Sequence, residues 1–563
     1  MADMDKFKKY FLDTSFSTKD ILVVFLYILL VSVLGTVFHE PWFDESTAWM
    51  IARTNSVYDI LFNVPHYEGH IPFWHLMLKL VMLVHLPYEL SLIFVNLLFL
   101  VPAVVIIVFK SGFPRIIRWL LPFSYFLFYQ YGMISRPYSI MICAFMLLAL
   151  FYPNRDRSPV PFVLSLAFLC CSSVYGIVLS CGIVISWLIE ILIKEKGTIL
   201  SYFKKDKRFY SLVALFIFAF CLGCLILPRV DSITLLSVST SHMRNGFFTC
   251  LLYMLFSSIS DALVTNAFSS YTLLQNLIFN PILFGISTFV GMLSLYTIIR
   301  IAVRKGTCLL FIIPYLLFCL FSSGVYFYTH HIGIVFVFVL FWSIVTYNKE
   351  QDPKEQTKTV TVSKSNAADI RFRKYLVKAI VVIMVVQLYW SVSACISDIN
   401  YPYSCGRSVA SFIKEHNLDR YKILAQWQIS DNLDASVTML NVNSLTSSSN
   451  ILPYFDKDIL INFDSTRRGF NPHKLADWKT NQEELARWRK EGRPDLLLFE
   501  VDLPSLYSSQ EVSYKDFKVA YCALDQRVFK DKVFSSYGRL FVRTPLLHTL
   551  GIRVQSRCGA IKE

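Results

Sequence analysis

Long stretches without charge, separated by short basic clusters, dominate the first two thirds of the chain. Charge-free apolar runs cover 21–39, 90–109, 119–135, 137–154, 158–189, 209–228, 262–299, 306–348 and 379–397. About 20 apolar residues cross a bilayer as a helix. Two runs are too long for one helix and carry basic residues at both ends. These are 158–189, between Arg155/Arg157 and Lys194/Lys196, and 306–348, between Arg304-Lys305 and Lys349. Basic loops stay on the cytoplasmic side. Each run is therefore expected to be a hairpin, the first turning near Tyr175-Gly176 and the second at Thr329-His330-His331. Run 262–299 is expected to hold one span, roughly 276–299, after an uncharged extracytoplasmic stretch. The stretch 70–88 puts His70, His75, Lys79 and His85 on one face and reads as an interfacial helix. On that reading every basic cluster falls on one side, the N-terminus is cytoplasmic, and the spans number about 11.

Past 397 the pattern changes to short amphipathic and apolar segments. Ser408–Asn417 reads as a helix, Tyr421–Ala425 as a strand, 481–491 as a helix, and Asp495–Glu500 as a buried strand. The expectation is a polytopic α-helical membrane protein with a small C-terminal extracytoplasmic α/β domain. Residues 1–397 form the membrane domain, with a first extracytoplasmic loop at 39–89 and a cytoplasmic linker at 349–374. Residues 398–563 form the second domain.

Composition narrows the class further. Hydrophobic residues make up 55% and charged residues 17%, against roughly a quarter charged in soluble proteins. A soluble multidomain enzyme, a disordered chain and a disulfide scaffold are excluded. The net charge of +14 belongs to the cytoplasmic loops, so nucleic acid is not an expected partner. Most of the 13 cysteines lie in apolar runs, where Cys acts as a small hydrophobe. One disulfide is possible among Cys395, Cys405, Cys522 and Cys558.

Ionisable residues at the membrane edge mark the candidate chemistry. The first loop reads His39-Glu40-Pro41-Trp42-Phe43-Asp44-Glu45-Ser46-Thr47-Ala48-Trp49, then Ile51-Ala52-Arg53, and further on His70-Ile71-Pro72-Phe73-Trp74. A partly desolvated carboxylate there suits a general base or a cation ligand. A plainer reading has Asp44 capping a helix that starts at Glu45. Arg136, in Ser135-Arg136-Pro137-Tyr138, interrupts more than thirty charge-free residues at an outer turn. Arginine there holds a phosphate or anchors to lipid head groups. His330-His331 lies at another outer turn. Parity sends Asp44, Glu45, Arg136 and the histidines to one face, where a lipid phosphate would meet them all.

These residues carry a resemblance. The Trp42–Arg53 loop resembles the Asp-Glu-Ala-…-Ile-Ala-Arg loop of the GT-C glycosyltransferases, in the branch of protein O-mannosyltransferases and the aminoarabinose lipid A transferase. His70–Trp74 resembles that branch's Lys-Pro-Pro-Leu-Phe-Tyr-Trp segment, with His70 in place of Lys. Ser135–Tyr138 resembles an Ala-Arg-x-Tyr stretch. Tyr328-Thr329-His330-His331 with Gly333 resembles Arg-His-His-Gly, with Thr329 in place of Arg. The resemblance implies transfer of a sugar from a polyprenyl-phosphate carrier to a glycan, lipid or protein acceptor on the outer face, with inversion. Asp44 and Glu45 would be the catalytic residues, with Asp44 as the general base. Arg53, His70, Arg136, Tyr138, His330 and His331 would bind substrate. No cofactor is implied, although Asp44 and Glu45 offer oxygen ligands to a divalent metal. The competing readings are a transporter or flippase of lipid-linked sugars, which would need polar residues inside several spans, and a non-catalytic scaffold.

Overall fold

The computed structural model describes residues 13–195, 207–232, 246–269, 273–351, 367–425, 450–461, 463, 465, 469–474, 483, 490, 494–502 and 517–555. Among these, seven helices are long and apolar enough to cross a membrane: Lys19–Phe38, Tyr88–Lys110, Val174–Ile193, Lys207–Leu225, Pro281–Lys305, Thr329–Lys349 and Lys378–Asn400. Shorter apolar helices cover Phe73–Val84, Tyr138–Asn154, Pro159–Cys170, Phe247–Leu263 and Cys308–Gly324. The helices Lys19–Phe38, Lys207–Leu225, Pro281–Lys305 and Lys378–Asn400 leave large side chains such as Phe25, Phe216, Phe289 and Val385 exposed. Such continuous apolar surface is what a lipid-facing wall requires.

Both expected hairpins form. The first turns at Cys171–Ser173, slightly earlier than Tyr175-Gly176, because Val174 already opens the returning helix. The second turns at Thr329–His331. The run 119–135 is not one straight helix. Arg115–Leu120 ends at a tight turn containing Pro122, and Phe126–Met133 continues as a wider helix. A carbonyl released inside an apolar bundle must find a donor. The Tyr27 hydroxyl donates to Leu127 O at 2.8 Å, and the Asn96 amide donates to Tyr131 O and Gly132 O at 3.1 and 2.7 Å. Ahead of Pro281–Lys305, the expected loop instead holds the helices Ser258–Leu263 and Leu273–Phe279. Of the linker at 349–374, residues 367–374 belong to the helix Ala367–Asn400, and 352–366 lie outside the described residues.

Three ion pairs sit at one end of the bundle. Arg118 lies 3.7 Å from Asp20, Arg115 lies 3.2 Å from Asp13, and Arg155 lies 2.6 Å from Glu190. The opposite end carries the C-terminal region. There Gly406–Glu415 is a helix with one apolar face, and four strands, β1 (Ile423–Ala425), β2 (Leu496–Asp502), β3 (Phe517–Phe529) and β4 (Lys532–Arg543), form a sheet in the order β1-β2-β4-β3. β1 runs parallel to β2. β4 is antiparallel to both β2 and β3. The segment 481–491 lies largely outside the described residues. Cys522 is disulfide-bonded, whereas Cys395 and Cys405 are free thiols.

The β3–β4 hairpin closes with the two residues Lys530-Asp531, and its tip enters the helical bundle. Lys530 is fully buried with φ 58°. Its ammonium donates to Asp261 O and Thr265 O at 2.5 and 2.9 Å, and its backbone N–H donates to the Tyr125 hydroxyl. The Trp390 ring lies 4.9 Å away. Asp531 accepts a hydrogen bond from Asn266.

Candidate functional site

Trp42 is extended and hands over to the helix Phe43–Thr54. Asp44 is thus inside the first turn and does not occupy the cap position. The capping carboxylate is Glu45, whose Oε2 accepts the Trp42 N–H at 3.0 Å. Its Oε1 accepts the Ser135 N–H at 2.7 Å, which ties the first loop to the turn before Arg136. Glu45 also faces His39, with His39 Nε2 at 3.4 Å, while His39 Nδ1 lies 2.9 Å from Asp398 Oδ2. Tyr129 donates to the other Asp398 oxygen at 2.9 Å. Burial opposes a charge on His39, but the two carboxylates outweigh it and push its pKa up to about 10. An imidazolium between two carboxylates therefore joins the ends of the helices Lys19–Phe38 and Lys378–Asn400 to the loop.

With Glu45 turned inward, its neighbour Asp44 is turned to Arg136. Asp44 Oδ2 lies 2.6 Å from Arg136 Nη1, and the two side chains are 25% and 12% exposed. Burial works against the Arg136 charge, yet Asp44, Tyr138 and Glu45 outweigh it and raise its pKa. The guanidinium carbon sits 5.5 Å from the centre of the Tyr138 ring. Tyr138 stacks on Tyr131 with ring centres 4.4 Å apart, and faces His330 and His331 at 6.0 and 6.2 Å. Tyr131 donates to His330 O at 2.6 Å. His331 Nδ1 accepts the Tyr328 N–H at 2.9 Å, so its Nε2 is the nitrogen left to donate. Gly333 permits this packing. A Cβ there would lie 2.5 Å from both Phe126 Cδ1 and the Tyr131 hydroxyl.

His70 is close enough to feel the Arg136 charge. Burial, then the nearby Arg136 charge, push its pKa down to about 3, so it is a neutral imidazole rather than a second cation. Arg53 does not join this group. Its guanidinium donates to Phe455 O and Leu452 O at 2.8 and 3.2 Å, on the C-terminal segment. Of the residues singled out in the sequence, Asp44, Arg136, Tyr138, His330 and His331 come together, with His70 within electrostatic reach and Glu45 tying the loop to the turn before Arg136. Asp44 and Glu45 turn to different partners. Among the described residues no group of three or more His, Cys, Asp or Glu side chains is arranged to hold a metal ion.

Sequence reasoning missed His473 and Glu68. The His473 Nδ1 lies 2.6 Å from Glu68 Oε1, and its ring centre is 6.4 Å from that of Phe43, next to Asp44. Burial pushes Glu68 up and His473 down, but each outweighs that for the other, so Glu68 is lowered and His473 raised. Phe470 holds this segment on the loop. It accepts from the Asn55 amide at 2.9 Å, and its N–H donates to Thr54 Oγ1 at 2.8 Å. A pair separated by 405 residues has no local signal; Glu68 between two loop histidines was the one hint available.

The fold and this cluster define a multi-pass helical membrane protein with polar chemistry gathered at one end of its bundle. No family model and no curated protein matches the chain. Among solved structures it is similar to ArnT from Cupriavidus metallidurans, both bound to undecaprenyl phosphate and in the apo state. Identity is 12% and the TM-score 0.43 in each case, over 92% of this chain and 98% or 97% of theirs. It is also similar to the arabinofuranosyltransferase AftD from Mycobacteria. There identity is 13% and the TM-score 0.33, over 77% of this chain and 34% of the other.

Proposed function

We propose that the protein is an integral-membrane glycosyltransferase. It moves a sugar from a polyprenyl-phosphate carrier to an acceptor hydroxyl on the outer face, with inversion, and its C-terminal domain is extracytoplasmic. The observation that carries this reading is the Asp44–Arg136 pair at one end of the apolar bundle, with Tyr138 beside the guanidinium and His330 against the Tyr138 ring. A carboxylate and a guanidinium at that depth match the two demands of the reaction. The acceptor oxygen attacks the anomeric carbon as the bond to the phosphate oxygen breaks, and the acceptor proton passes to Asp44. The departing phosphate is already stable as an anion and needs no general acid. Arg136 stabilises the charge that develops on it. The neutral rings of His70 and His331 contribute as hydrogen-bond donors without adding charge.

Sugar transfer from labelled polyprenyl-phosphate donors, measured in membranes holding the wild type or Asp44→Asn, tests the reading. Transfer by the wild type and its loss in Asp44→Asn are expected. Asparagine keeps the size and the helical position but cannot take the proton. Near-normal turnover in Asp44→Asn removes Asp44 as the base. Carrier movement across the bilayer without transfer replaces the enzyme reading with a flippase.

A further inference from the structure

Among the described residues, Arg136 is the guanidinium paired with Asp44, and an incoming phosphate would compete with that carboxylate for it. Asp44 already holds Arg136 Nη1 at 2.6 Å, in a spot where little water reaches either side chain. The other cations nearby are engaged elsewhere. His39 lies between Glu45 and Asp398, His473 pairs with Glu68, and Arg527 stacks at 4.7 Å on the Trp42 ring and donates to Ser536. His70 and His331 present neutral rings. A phosphate entering beside Tyr138 therefore has Arg136 to turn to, and Asp44 occupies it.

We propose that the carrier phosphate displaces Asp44 from Arg136, so that binding of the donor is what frees the base. The inference rests on the function proposed above and adds an order to it. While paired, a carboxylate oxygen of Asp44 is taken up by a charge-assisted hydrogen bond and is a poor proton acceptor. When a phosphate takes the guanidinium in two-pronged fashion, the carboxylate turns to the acceptor hydroxyl. After transfer the proton on Asp44 passes to water, the polyprenyl phosphate leaves, and Arg136 recaptures the carboxylate. Donor thus binds before acceptor chemistry becomes possible, because in the resting site Asp44 is held by Arg136.

The test is equilibrium binding of undecaprenyl phosphate, without sugar or acceptor, to the full chain in nanodiscs. Wild type, Asp44→Asn, Asp44→Ala, Arg136→Ala and the Asp44→Asn/Arg136→Ala double variant are compared. Removing the internal competitor is expected to tighten binding about tenfold in both Asp44 variants, on the scale of one charge-assisted contact. In the Arg136→Ala background the gain from Asp44→Asn is expected to vanish. Unchanged or weaker binding in both Asp44 variants overturns the proposal. So does a gain that persists without Arg136, because it would then reflect general charge. If Arg136→Ala alone leaves affinity unchanged, the phosphate reading of the site falls, and this inference with it. Retention of the wild-type elution profile in each variant separates these outcomes from misfolding.

Discussion

Gly333→Ala is a test of how the site is supported, since it changes no polar group. The added methyl would sit 2.5 Å from Phe126 Cδ1, 2.5 Å from the Tyr131 hydroxyl and 2.6 Å from Tyr131 Cε2. Ordinary contact lies at about 3.5–4.0 Å, so something must move by roughly 1 Å. Phe126 and Tyr131 are both fully buried. Tyr131 is further pinned by its stack on Tyr138 and its bond to His330 O. The clash therefore costs about 1–3 kcal/mol as overpacking. If Tyr131 yields, a stacking contact of about 0.5–1.5 kcal/mol and a hydrogen bond of about 1 kcal/mol go with it. Misplacing a binding group by about 1 Å costs on the order of a hundredfold in rate. Thermal unfolding of the purified protein and undecaprenyl phosphate binding are measured together, with Gly223→Ala as control. Gly223 lies in the helix Lys207–Leu225 with open space where a Cβ would go, so Ala there is neutral or mildly stabilising. Wild-type stability and binding in Gly333→Ala would refute the claim that Tyr131 holds Tyr138 and His330 in place.

Three further outcomes are expected. The Glu68–His473 pair contributes fully only where both partners are charged. The raised His473 adds stability below its ordinary value of 6.5 and loses it as pH climbs through the higher folded value. The lowered Glu68 adds stability above 4.5 and loses it as pH falls through the lower folded value. Protection from hydrogen exchange at 469–474, taken relative to the intrinsic rate at each pH, is therefore greatest between 4.5 and 6.5, and His473→Ala flattens the profile. Arg53→Met removes two charge-assisted bonds to Leu452 and Phe455 carbonyls, about 1.5–3 kcal/mol each. It should speed limited proteolysis of the C-terminal region without weakening undecaprenyl phosphate binding; weakened binding would return Arg53 to the phosphate site. Lys530→Ala leaves the Asp261 and Thr265 carbonyls without their donor, about 1–3 kcal/mol each. Lys530→Gly does the same but relieves about 1 kcal/mol at φ 58°. Protease sensitivity of the hairpin should thus rank Ala above Gly above wild type.

Periodicity and charge made the spans legible because a bilayer imposes a simple length and polarity rule. The turn at Thr329–His331 and the gathering of Asp44 with Arg136 both followed from it. The break inside 119–135 was hidden, since its freed carbonyls are repaid by Tyr27 and Asn96 on other helices. Glu45 looked like a partner to Asp44 in chemistry, yet helix geometry sends adjacent side chains in different directions, and its bonds to Trp42 and Ser135 show where it points. Arg53 read as a phosphate ligand because its partners are main-chain carbonyls about 400 residues away, which leave no mark in composition. His39–Asp398 and Glu68–His473 were invisible for the same reason.

The hairpin tip has a consequence for how the protein is made. Tyr125, Asp261 and Thr265 emerge from the ribosome hundreds of residues before Lys530, which they bind. Until that lysine arrives, the Asp261 and Thr265 carbonyls lack this donor, and lipid cannot supply one. This part of the bundle therefore reaches its final hydrogen bonding only when the β3–β4 hairpin has been made and has docked. Closure between residues so far apart in sequence is slow, so docking of the hairpin is a late step in completing the bundle.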